Sequence, residues 1–62
     1  MLENKILTVL KEYQVGDVLT RDIRNYDFVL QSGENVKLVY GDTIMESLVL
    51  SVHDTIVKLK VV

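Results

Sequence analysis

In the last third of this chain, apolar residues fall on both sides of what must be extended backbone. Met45 to Val52 sets Leu48, Leu50 and Val52 on one face and Met45 and Val49 on the other. After His53-Asp54, the run from Thr55 stays largely apolar to Val62. A strand with one wet face alternates between apolar and polar, whereas apolarity on both sides implies two buried faces. A chain this short has little interior for two faces of a sheet. Part of that surface is therefore expected to meet another chain, with Val49, Val57, Leu59 and Val61 at the interface.

Upstream the period changes. Leu2, Ile6, Val9, Leu10 and Tyr13 fall within a stripe about 100° wide at helical spacing, with Asn4, Lys5, Thr8, Lys11 and Glu12 opposite. This predicts an amphipathic helix over about 2–14, stopped by Gly16, since glycine accepts the left-handed conformation that follows a last turn. A helix so short must be held by docking. From there the spacing of apolar residues and of Gly, Asp and Ser turns predicts strands over about 17–24, 26–31, 35–40, 44–52 and 55–62. Leu19 and Ile23, then Tyr26, Phe28 and Leu30, then Val36, Leu38 and Tyr40 are the inward sets. Ile44, Met45, Leu48 and Val49 also match helical spacing, but the Leu-Val-Leu-Ser-Val that follows favours strand. The expected fold is one α+β domain over 1–62, mainly β. A short N-terminal helix precedes a five-stranded antiparallel meander, closed into a small barrel or strongly bent.

Composition sharpens the β assignment. The chain has eleven Val, nine Leu and four Ile but no Ala, Pro or Trp. Branched Cβ atoms pack well on a pleated surface and lose rotamer freedom in a helix. A domain of about 60 residues hides only about 60% of its unfolded surface and is marginal unless disulfides, a metal or oligomerisation supports it. With no cysteine and one histidine, the disulfide and ordinary zinc routes are closed, which leaves self-association or an unusually dense aliphatic core, the former favoured. The lack of cysteine also suits a reducing cytosol. No basic segment precedes a sustained apolar core at the N-terminus, and no run approaches the roughly 18 residues a spanning helix needs, so neither leader nor membrane contact is expected.

Candidate chemistry is sparse. Ser51, His53 and Asp54 are close in sequence, but residues two apart on a strand sit about 7 Å from each other and the next points away, which does not make a triad. Asp17, Asp22, Asp27 and Asp42 are spaced as turn and edge residues, and no calcium-loop pattern is present. Gly16, Gly33 and Gly41 are isolated, so there is no glycine-rich phosphate loop. No catalytic residue, metal or cofactor is expected. A net charge of −2 is too acidic for generic duplex binding. Lys58 and Lys60 share one face of the last strand, and with Lys37 they read first as edge lysines that keep that strand from pairing with other chains. With Arg21 and Arg24 they could instead form a modest basic strip if the sheet closes. Tyr26, Phe28 and Tyr40 could then offer rings for stacking.

A short N-terminal helix before five antiparallel strands resembles the order in Sm-like small barrels, which assemble as rings on RNA. Phe28 to Leu38 is similar to that family's strand–Asn/Asp-Gly–strand segment, and Asp42 to Leu50 to its Asp-x-x-Met-Asn-x-x-Leu region. Glu46 stands where the RNA-contacting Asn would be, and the C-terminal Arg/Lys-Gly signature is absent. The resemblance covers about half the chain and implies a fold rather than an activity.

The function expected from these residues is a small, cytosolic, non-enzymatic interaction or regulatory module acting as a homo-oligomer, with another protein as a further partner. The alternative is a nucleic-acid-binding small barrel using the basic strip.

Overall fold

The computed structural model describes residues 5–62. Its strands are β1 (Ile6–Thr8), β2 (Val18–Asp22), β3 (Asn35–Tyr40), β4 (Thr43–His53) and β5 (Ile56–Val61). They form one mainly antiparallel sheet in the order β1-β3-β4-β5-β2, with β1 parallel to β3. This corrects the expected five-stranded antiparallel meander: only β3-β4-β5 is one, and β2 crosses over to pair with β5. The sheet curls into a half-barrel, and overall extents of 26 × 24 × 20 Å leave no long flat dimension.

The inward face is aliphatic. Val36 and Leu38 on β3, Met45 and Val49 on β4, Val57, Leu59 and Val61 on β5, and Leu19 on β2 are buried together with Leu7, Val9, Ile23 and Leu30. Ser47 is buried among them, its hydroxyl donating to the Val36 carbonyl at 2.7 Å. That bond is what lets a polar side chain occupy an inward position.

Strand β4 changes phase once. Val49 lies opposite Leu59, but Ser51 lies opposite Lys58, so Leu50 is an extra residue. Before this bulge the odd residues Met45, Ser47 and Val49 point inward. Beyond it Val52, opposite the buried Val57, packs against the core instead. One inserted residue flips every later side chain to the other face. The expected pairing of Leu48, Leu50 and Val52 on one face therefore fails at Val52. The β3–β4 hairpin turns on Gly41-Asp42 with Gly41 at φ 58°, the left-handed first position that a two-residue hairpin loop assigns to glycine.

The predicted helix is corrected. Residues 2–4 lie outside the described residues, and over 5–14 the chain forms β1 and then an irregular connection. Leu7 and Val9 are buried while Ile6 and Leu10 are exposed, a period of two in place of the helical stripe. Pairing with β3 buries Leu7 and Val9 between strands, and β-branched Ile6, Thr8 and Val9 suit that backbone. Gly16 sits in a turn, where the Asp17 amide bonds the Gln14 carbonyl and the Asp17 carboxylate accepts from the Gln14 amide.

The strand expected at 26–31 is also absent. Residues 23–34 are irregular, opened by a turn in which the Tyr26 amide donates to the Ile23 carbonyl. Leu30 is nonetheless buried, and Tyr26 and Phe28 pack against the core. The apolar phase was legible there, although among the described residues no strand pairs with this backbone. The other four strands fall within about two residues of their expected limits, and 43–49 is strand.

The half-barrel's two edges are joined by side chains. The odd residues flanking β1 bond β3, Val9 N donating to the Val39 carbonyl and the Lys5 carbonyl accepting from Lys37 N, so Thr8 turns its amide and carbonyl to the free edge. Arg21 on β2 donates Nη1 to the Thr8 carbonyl at 2.7 Å, and the Thr8 amide points at the Tyr26 hydroxyl at 3.4 Å. Lys5 ties the start of β1 down through the Val29 carbonyl and the Glu34 carboxylate.

Candidate interaction surface

The outer face of the sheet holds the apolar residues that the interior leaves out. Across β1, β3 and β4 it presents Ile6, Val39 and Ile44, with Thr8 opposite Val39 and Val39 opposite Ile44. Towards β5 and β2 it presents Leu48, Leu50, Ile56, Val62 and Val18, with Lys60 between Leu48 and Val18. Ile6, Val18, Ile44, Leu50, Ile56 and Val62 stay substantially exposed, Ile44 by 62%. Polar neighbours divide this surface: Lys37 bridges Glu46 at 2.8 Å, and Lys58 and Lys60 extend from β5. Half-apolar rows on a wet face are what the two-sided pattern of the C-terminal strands encodes.

Val49, Val57, Leu59 and Val61 do not lie on this surface. All four are buried inside the chain's own half-barrel, which corrects the expected interface. Of the two C-terminal strands, only β4 is apolar along both faces; β5 alternates between a buried face and an exposed one carrying Ile56, Lys58 and Lys60, and these four belong to the inner face. Leu48, Leu50, Ile56 and Val62, their sequence neighbours, are the outer set.

The basic residues do not gather. Arg21 points to the seam and bonds Thr8, Arg24 is paired with Asp22, and Lys37 is paired with Glu46. Only Lys58 and Lys60 stand adjacent on the outer face, so the strip expected for phosphate is not assembled. Tyr40 lies at the far end of β3 from Asn35, whereas Tyr26 and Phe28 belong to the irregular segment, their ring centroids 5.3 Å apart. The three rings form no single stacking platform.

A shallow cleft opens beside those two rings. Ile23, Phe28, Leu30 and Val52 line it, with Arg24 and Asp54 among its polar residues, and its volume is ≈ 190 Å³. Ligand pockets run to about 300–1,000 Å³ and enclose most of their occupant. This one would hold a single side chain. His53 and Asp54 stand out in solvent with 4.0 Å between imidazole and carboxylate, and Ser51 is exposed, so the trio has no enclosed site to act in. Among the described residues, no three His, Asp or Glu side chains converge as a metal would require, and no helix is long and apolar enough to cross a membrane.

The Asp22–Arg24 pair near the cleft has a measurable signature. Hydrogen bonding from the Arg24 side chain, then from its amide and from Thr55, lowers the Asp22 carboxyl from 3.8 to about 2. A carboxylate whose folded pKa lies below its unfolded one adds stability above the unfolded value, and loses it as pH falls from there through about 2. NMR titration of the carboxyl carbons should show Asp22 with a midpoint near 2. A midpoint near the ordinary aspartate value would show that Arg24 does not hold it in solution.

No family model, curated protein or solved structure matches the chain. The likeness of 28–38 and 42–50 to Sm-like barrels thus rests on those residues alone. Within 28–38 only the part from Asn35 is strand.

Proposed function

We propose that the protein is a non-enzymatic interaction module that self-associates through the outer face of its sheet. The carrying observation is the set of eight apolar side chains there: Ile6, Val18, Val39, Ile44, Leu48, Leu50, Ile56 and Val62. Six of these stay substantially exposed, and apolar side chains gathered on one sheet face are a candidate association site. A second copy brings the same surface, and a two-fold contact needs only self-complementarity. Lys58 and Lys60 suit the rim, where their stems cover apolar area and their heads remain in water. The lack of cysteine favours a reducing compartment, the cytosol, and the outer face leaves room for a further protein partner. The nucleic-acid reading loses its support, because three of its five cations are engaged within the chain.

Sedimentation equilibrium of the wild type should show a defined oligomer within the micromolar range. Ile44→Lys lies outside the core, so it should keep the far-UV spectrum of the wild type and weaken association about tenfold or more. An unchanged association constant in that variant, or a wild type that stays monomeric at millimolar concentration, overturns the proposal.

A further inference from the structure

The free edge of β1 is capped by side chains and not by a strand. Thr8 turns its amide and carbonyl to that edge, and by the same alternation so does Ile6. The Thr8 carbonyl takes Arg21 Nη1 at 2.7 Å, whereas the Thr8 amide has only the Tyr26 hydroxyl at 3.4 Å, long for a hydrogen bond. Residues 26–29 run beside this edge. Thr8 meets Tyr26 at one end and Lys5 Nζ meets the Val29 carbonyl at 2.8 Å at the other, so the segment passes β1 in the antiparallel sense. Its sequence has the period of a strand: Tyr26, Phe28 and Leu30 are turned to the core, and Val29 between them is 74% exposed. Among the described residues, the amides of Asp27, Phe28 and Val29 and the carbonyls of Asp27 and Phe28 have no hydrogen-bond partner.

The two sets of backbone groups are complementary. Antiparallel partners share a face, so the inward Phe28 belongs opposite the inward Leu7, which sets Asp27 opposite Thr8 and Val29 opposite Ile6. In that register the groups that β1 turns to its free edge meet those of Asp27 and Val29 in four ladder bonds. Side chains already hold three of the four positions: the Tyr26 hydroxyl at the Thr8 amide, Arg21 at the Thr8 carbonyl and Lys5 at the Val29 carbonyl.

We propose that 26–31 is a latent sixth strand, a strap that zips onto the free edge of β1 by exchanging these three side-chain bonds for the Thr8–Asp27 and Ile6–Val29 backbone pairs. A local slide suffices, because the segment already passes the edge in the right sense with its apolar phase inward. The motion acts on the cleft. Tyr26, Phe28 and Leu30 line it together with Val52 and Thr55, so a shift of the strap away from the β4–β5 end resets its width. The device works within one chain and does not rest on self-association.

Amide relaxation dispersion of the wild type, at a concentration where it sediments as a single species, should show microsecond-to-millisecond exchange at Ile6, Thr8, Asp27 and Val29. Flat profiles at these four amides overturn the strap. Val29→Pro removes an amide that only the zipped state uses, so it should abolish the exchange at Ile6 and Thr8 and keep the far-UV spectrum of the wild type. Exchange that persists there in this variant also overturns it. Arg21→Ala distinguishes the strap from a seam bond that only ties β1 down. Clearing the Thr8 carbonyl makes room for the Asp27 amide, so hydrogen exchange should slow several-fold at Asp27 and Val29 but not at Phe28, whose amide points away from β1 in the zipped register. A mere tie would give the opposite result: faster exchange at Val9 and Lys37, with Asp27 and Val29 unmoved. That outcome, or equal slowing at 27, 28 and 29, overturns the proposal.

Discussion

Leu59→Asp is expected to leave the chain unfolded at every temperature. Leu59 is 0% exposed at the centre of β5, flanked by Leu19 on β2 and Val49 on β4. Removing a buried leucine costs about 2–5 kcal/mol before any charge is considered. An unpaired carboxylate in that position adds a further penalty, because its register partners Leu19 and Val49 are both apolar. A core of this size supplies only about 3–5 kcal/mol in total. The far-UV spectrum should be that of a coil, with no cooperative urea transition. Lys60→Asp, one residue along and facing water, should move the midpoint by no more than about 0.5 kcal/mol. Equal effects from the two variants would mean that the alternation along β5 is wrong.

The second large effect is expected at Leu7. It is fully buried although it belongs to the shortest strand. Leu7→Ala should cost about 2.7–5.0 kcal/mol, comparable with the whole stability of so small a domain. The loss should also be local. Once the side chain no longer fills the core, β1 has three residues of pairing and the Arg21 and Lys5 bonds to hold it. Hydrogen exchange should therefore accelerate first at the amides of Val9, which bonds the Val39 carbonyl, and Lys37, which bonds the Lys5 carbonyl. Amides of the β4–β5 ladder should follow only with global unfolding. A wild-type urea midpoint, or retained protection at Lys37, would show that β1 is dispensable to the core.

Much of this architecture was legible because period and composition agreed. The alternation of Val36 and Leu38, and of Val57, Leu59 and Val61, specified strands β3 and β5 nearly to the residue. The surplus of Val and Ile, with no Ala, spoke for sheet throughout. The apolar outer residues of β4 were visible as a second apolar face, and Ile44, Leu48 and Leu50 lie on the sheet's outer surface, whereas β5 turns Lys58 and Lys60 outward.

The remaining features were decided by contacts between residues far apart in the chain. Ile6 to Tyr13 satisfies a helical period and a strand period together, and the choice went to whichever pairing could bury Leu7 and Val9. That depended on the free edge of β3, thirty residues away. Tyr26, Phe28 and Leu30 kept their inward phase, but an alternating run becomes a strand only where a neighbour accepts its hydrogen bonds. The bulge at Leu50 left no local mark, since an apolar residue suits either face until the register with β5 is set. Which apolar face became the interior was likewise undecided by the residues themselves: Val49 and Leu48 are chemically alike, and the direction of curl put one inside. The sequence determined a β-rich chain of alternating strands, one of them, β4, apolar on both sides. The tertiary structure alone decided which side is core, because burial is a property of the closed sheet and not of any single strand.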